Sequence, residues 1–101
     1  MIEMSFQEFK TLQRKELFIF FFTMPDFCGL CTQQENEYKK YNIPNLVKVK
    51  ADNEDQLMEM GIKALPYTCM FSSDGKNRIE HYGVLYEPQI RKLLGEYDKK
   101  A

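Results

Sequence analysis

Two thiols lie two residues apart in Cys28-Gly29-Leu30-Cys31, and no other residues of this sequence are better suited to chemistry. A close cysteine pair performs dithiol–disulfide exchange, supplies half of a zinc site, or plays a purely structural part. Zinc wants four ligands, and the strong candidates left over are Cys69 and His81. Cys69 falls inside an expected strand, away from the pair, so a metal site is not expected. A disulfide between Cys28 and Cys31 closes too short a loop to stabilise a fold, and three cysteines are too few for a stapled scaffold. The pair therefore reads as a redox-active dithiol. Cys69 reads as a small buried apolar residue, His81 as a surface histidine, and the six scattered methionines as core filling.

The elements needed to position such a pair are present around it. Phe18 to Phe22 is a short, Phe-rich apolar run, which suits a strand buried on both faces, drawn from Leu17 to Thr23. Pro25 forces a loop, and a polar helix is expected from Cys28 to about Tyr41, with Glu35 and Lys39 as a favourable i,i+4 pair. Upstream, Ser5 and Glu8 form a capping box for a first helix running to about Lys15, with Phe6, Phe9 and Leu12 on its buried side. Leu46 to Ala51 alternates as a second strand, and Asp52 or Asn53 caps a short helix that Gly61 closes. Tyr67 to Ser72 and Arg78 to Val84 form a hairpin around Asp74-Gly75, with Gly83 at a bend. Pro88 opens the last helix, whose buried stripe is Ile90, Leu93, Leu94 and Tyr97.

The order helix, strand, helix, strand, helix, strand, strand, helix predicts an α/β fold. It is a central mixed four-stranded sheet flanked by helices on both faces, and residues 1–101 form a single domain. A formal charge of −1 without a basic block gives no footprint for nucleic acid. The apolar run is far shorter than the roughly 20 residues needed to span a bilayer, so no membrane partner is expected. Met1-Ile2-Glu3 does not begin a secretory signal, and the expected compartment is the cytoplasm.

With Cys28-Gly29-Leu30-Cys31 after the first buried strand, this arrangement resembles the thioredoxin superfamily. A second stretch, Gly61-Ile62-Lys63-Ala64-Leu65-Pro66-Tyr67-Thr68, is similar to the segment that leads into that family's cis-proline. Phe71, Asp74-Gly75 and Gly83 fall at similar spacings, and the likeness runs from Phe6 to Leu94.

The resemblance implies that Cys28 is the attacking thiol and Cys31 the resolving thiol. A cysteine at a helix N-terminus meets unpaired N–H groups, which typically lower its pKa from roughly 8.5 into the range of about 3.5–7.5. It further implies that Pro66 is the cis-proline beside the disulfide, that Leu65 and Gly83 border the substrate groove, and that Lys48 lies beneath the site. Met24, Phe27, Leu30 and Leu65 would supply an apolar rim. Phe27 stands in place of the usual Trp, Leu30 in place of Pro, and Asp26 adds a negative charge nearby. Phe22 stands where the family buries a proton-handling acid, so Cys31 is expected over an apolar floor, and Phe22→Asp is expected to speed turnover near neutral pH.

The implied function is thiol–disulfide oxidation and reduction on protein substrates, with no cofactor beyond the redox-active Cys28–Cys31 disulfide. Electrons would come from a reductase or a low-molecular-weight thiol, and the chain would act as a monomer. The alternatives are a glutaredoxin-like electron relay and a non-catalytic binding module on the same fold.

Overall fold

The computed structural model describes residues 1–25 and 28–100, without the side chain of Lys100. A mixed sheet carries the chain. Its strands are β1 (Ile2–Ser5), β2 (Ile19–Thr23), β3 (Leu46–Lys50), β4 (Tyr67–Phe71) and β5 (Arg78–Tyr82), in the spatial order β1-β3-β2-β4-β5. β1 and β2 both run parallel to β3, whereas β4 pairs antiparallel with β2 and with β5. The helices are α1 (Phe6–Thr11), α2 (Gly29–Lys39), α3 (Glu54–Glu59) and α4 (Glu87–Lys100).

The expected α/β architecture is present, with one correction: the described residues form five strands rather than four. The added strand, β1, is the edge partner of β3, with Ile2 opposite Val47 and Ser5 opposite Lys50. Ile2-Glu3-Met4-Ser5 alternates apolar and polar, but over four residues only, and its burial runs from exposed to half-buried along the strand. Ser5 ends it and also caps α1: its hydroxyl accepts from the Glu8 N–H while the Glu8 carboxylate accepts from the Ser5 N–H.

Helix α1 stops at Thr11, earlier than its apolar spacing suggests. Leu12 is already extended, Arg14 adopts a left-handed conformation with φ 61°, and a 3-10 turn over Lys15–Leu17 leads into β2.

Alternation along the strands divides the core. Phe20 and Phe22 of β2 pack with Phe6 and Phe9 of α1 and Leu57 of α3. Ile19 and Phe21 pack on the opposite side with Cys31 and Tyr38 of α2 and with Ile90, Leu93 and Tyr97 of α4. Phe9 meets the rings of Phe20 and Phe22 edge-on, with centroids 4.9 and 5.0 Å away, an arrangement the ring quadrupoles favour. All five β2 residues are buried, as a central strand covered on both faces requires.

Polar side chains stitch the second layer. The Tyr38 and Thr68 hydroxyls share a buried hydrogen bond that ties α2 to β4. Gln34, wholly buried in the polar-looking α2, donates from its amide to the Leu85 carbonyl and accepts from the Leu85 N–H. Gln34→Leu keeps the approximate volume but strands both Leu85 backbone groups, at roughly 1–3 kcal/mol each. Urea unfolding should therefore show a loss above about 1 kcal/mol. A change below about 0.5 kcal/mol, typical of a surface substitution, would contradict the clamp.

Candidate functional site

Thr23 ends β2, and from this end of the central strand the chain passes through Met24 and Pro25 toward α2. Cys28 is the N-cap of α2 in an extended conformation, and its sulfur accepts a hydrogen bond from the Cys31 N–H at 3.1 Å. An N-cap acceptor satisfies a helix-terminal donor, and here a sulfur fills that place. Cys28 and Cys31 are joined as a disulfide, with Cα atoms 5.2 Å apart. The two sulfurs differ in access: Cys28 is half-buried, while Cys31 is 3% exposed and packs into the α2–α4 core.

The distant loop before β4 closes over this end of the sheet. The Leu65–Pro66 peptide is cis, and the Gly83 N–H donates to the Pro66 carbonyl at 3.0 Å. That bond places the bend after β5 beside the proline. Gly83 has φ 85°, a left-handed backbone that a side chain would strain.

Two depressions meet at the disulfide. A larger cleft of about 680 Å³ has Cys28, Met24, Leu57, Met58, Ile62 and Leu65 in its apolar lining, with Glu54 and Lys63 as its charged members. A polar notch of about 210 Å³ borders both cysteines and includes Thr23, Thr32, Glu35 and Lys48. Lys48 Nζ lies 2.5 Å from Glu35 Oε1 and 3.5 Å from Glu3 Oε1, and Glu35 Oε2 lies 3.1 Å from Lys39 Nζ.

The fold at this point can be compared with solved structures. Chloroplastic thioredoxin z superposes with a TM-score of 0.68 at 19% identity, over 97% of this chain and 94% of that one. The chain has the thioredoxin fold. Malassezia sympodialis thioredoxin gives 0.68 at 18% identity over 96% and 90% of the two chains. Fasciola hepatica thioredoxin gives 0.66 at 18% over 96% and 99%. No protein-family model and no curated protein sequence matches the chain.

On this thioredoxin fold most residues singled out in the sequence converge. Cys28, Cys31, Leu65, Pro66 and Gly83 gather at one end of the sheet, and Lys48 lies in the notch. Leu30 is 55% exposed on α2 and does not line the cleft. Asp26 and Phe27 lie outside the described residues.

Phe22 requires a correction. Its ring packs against Phe9 and Tyr67 on the α1–α3 face, whereas Cys31 sits in the cluster on the other face. Successive β-strand side chains point to opposite faces, so Phe21 shares the layer of Cys31 and Phe22 does not.

Glu35, which the sequence offered only as a partner of Lys39, joins the site through Lys48. The available signal was its spacing: it lies four residues after Cys31, on the same helix face. The hydrogen bond from Lys48 is the strongest influence holding the Glu35 carboxyl below its usual pKa, against the desolvation that would raise it. Burial pulls the Lys48 ammonium down, but Glu35 and Glu3 outweigh it and leave its pKa raised.

Lys48→Met should accordingly let the Glu35 pKa rise, as read from its NMR titration. A carboxyl held below its unfolded value, near 4.3, stabilises the fold above that pH and loses the contribution as pH falls through the folded value. Wild type should therefore lose more stability on acidification than Lys48→Met. An unshifted Glu35 titration would refute the coupling.

Proposed function

We propose that the protein is a thiol–disulfide oxidoreductase that acts on disulfides of other proteins. The carrying observation is the asymmetric Cys28–Cys31 disulfide: Cys28 caps α2 at the mouth of an apolar cleft, and Cys31 is buried behind it. Exchange needs an accessible thiolate to attack and a second thiol to release the mixed disulfide. Helix-terminal N–H groups favour the charged form of Cys28 in the reduced chain.

The reaction balances as two displacements. Cys28 thiolate attacks one substrate sulfur, and the other leaves as a thiolate and takes up a proton. Cys31, once deprotonated, attacks Cys28 Sγ and expels the second substrate sulfur. Two electrons pass to the substrate, and the chain is left with the Cys28–Cys31 disulfide.

The cleft formed by Met24, Leu57, Ile62 and Leu65 suits an apolar, extended peptide segment around the target disulfide. A reductase or a low-molecular-weight thiol in the cytoplasm would return the electrons, and the chain would work as a monomer without a cofactor.

Insulin reduction driven by dithiothreitol tests this reading. Wild type should accelerate precipitation of the insulin chains, and Cys28→Ser should leave the rate at that of dithiothreitol alone. Equal acceleration by both proteins would overturn the assignment.

A further inference from the structure

The second displacement has a proton to place, and the polar notch contains a group that can receive it. Cys31 is 3% exposed, so its thiol proton cannot pass freely to bulk water, and its sulfur attacks only after the proton has gone. The notch borders Cys31 and Cys28, and Glu35 is the carboxylate among its described lining residues. Glu35 follows Cys31 by one helical turn, which puts their Cβ atoms about 5–6 Å apart on one face of α2.

We propose that Glu35 accepts the proton released by Cys31 and that Lys48 is the positioning residue that holds the carboxylate in the notch. The inference rests on the oxidoreductase reading. In the step, the Cys31 S–H bond breaks, its electron pair stays on sulfur, and the proton passes to Glu35. The sulfur then displaces the substrate thiolate from Cys28 Sγ, and Glu35 returns the proton to solvent.

Among the described residues, the charged groups paired with Glu35 are Lys39 on its own helix and Lys48 on β3, and Lys48 also pairs with Glu3 of β1. These lysines weaken Glu35 as a base but keep it charged and oriented. A carboxylate remains a better proton acceptor than water, and the following attack consumes the thiolate as it forms. General-base assistance of this kind contributes about 10²–10⁴-fold, and the lower end suits a base stabilised by two ammonium groups.

The test uses the reduced full-length chain, freed of dithiothreitol, with Ellman's reagent as the disulfide. The first equivalent of thionitrobenzoate reports attack by Cys28, and the second reports resolution by Cys31. Cys69 is wholly buried and shielded from the reagent.

Glu35→Gln should still release the first equivalent and release the second about 10²-fold more slowly, with a flatter pH profile. Glu35→Asp, which keeps the charge, should recover most of the rate. A carboxylate acting only through its charge predicts the reverse, because removing a negative charge eases Cys31 deprotonation. A second equivalent released from Glu35→Gln at the wild-type rate or faster would therefore overturn the inference while leaving the oxidoreductase reading intact. Failure of wild type to release the first equivalent would overturn both.

Discussion

Cys31→Ser should stop the reaction at its midpoint. With a protein disulfide in excess, the variant should release one equivalent of leaving thiol per chain and then remain joined to its substrate through Cys28. The reason lies in which atoms the substitution removes. The Cys31 N–H that donates to Cys28 Sγ at 3.1 Å belongs to the backbone and survives in the serine variant. The attacking sulfur keeps its N-cap position and the donors that favour a thiolate. What disappears is the buried sulfur that must displace the substrate, because a serine hydroxyl is not a competent replacement for a thiolate in exchange. Steady turnover should fall to that of the free thiol in the assay, and mass spectrometry without reductant should find the adduct on Cys28. Sustained turnover near the wild-type rate, or an adduct on Cys69, would reject the assigned order of attack and resolution. The contrast with Cys28→Ser, where no first equivalent is expected, separates the two cysteines.

The parts of this site legible in the sequence are those whose signals are local. A Phe-rich run, a Cys-x-x-Cys pair and an Asp-Gly turn each declare themselves within a few residues. Leu65-Pro66 gained meaning from its likeness to a known segment, and the structure brings it to the disulfide through pairing of β2 with β4. Strand β1 is not legible because Ile2-Glu3-Met4-Ser5, although it alternates apolar and polar, is only four residues long, runs straight into the Ser5 cap of α1 and takes its order from β3, far along the chain. Gln34 was hidden by composition. A glutamine among Thr32, Gln33 and Glu35 reads as solvated, yet its amide is wholly buried because Leu85 offers both a donor and an acceptor to it. Glu35 was half legible: its i,i+4 partner Lys39 could be counted along the helix, whereas Lys48 required the helix to be laid on β3.

Phe22→Asp should cost the fold dearly, whatever it does to the chemistry. The likeness to thioredoxins invites this substitution as the return of a missing acid. The structure places position 22 among rings, with Phe9 at 5.0 Å and Tyr67 at 5.7 Å between centroids, and with no exposed surface. Truncating a core Phe costs about 3–5 kcal/mol through lost transfer energy and the cavity left behind. A carboxylate in that cavity adds a desolvation penalty, because the surrounding cluster is apolar. The sum approaches the roughly 5–15 kcal/mol that holds an ordinary domain together. The new acid should resist ionisation, with a folded pKa above the unfolded value near 3.9. Its penalty is then smallest below that unfolded value and grows as pH rises through the folded one. Urea unfolding should accordingly show Phe22→Asp at least 3 kcal/mol below wild type at neutral pH, on the scale set by core Phe truncation. The gap should narrow on mild acidification, while Phe22→Leu remains the milder change at every pH. A Phe22→Asp chain within about 1 kcal/mol of wild type at neutral pH would mean that the acid reaches water or a partner, contrary to a closed α1–α3 face. On this geometry the acid near Cys31 is the one α2 supplies, on the opposite face of the sheet from Phe22.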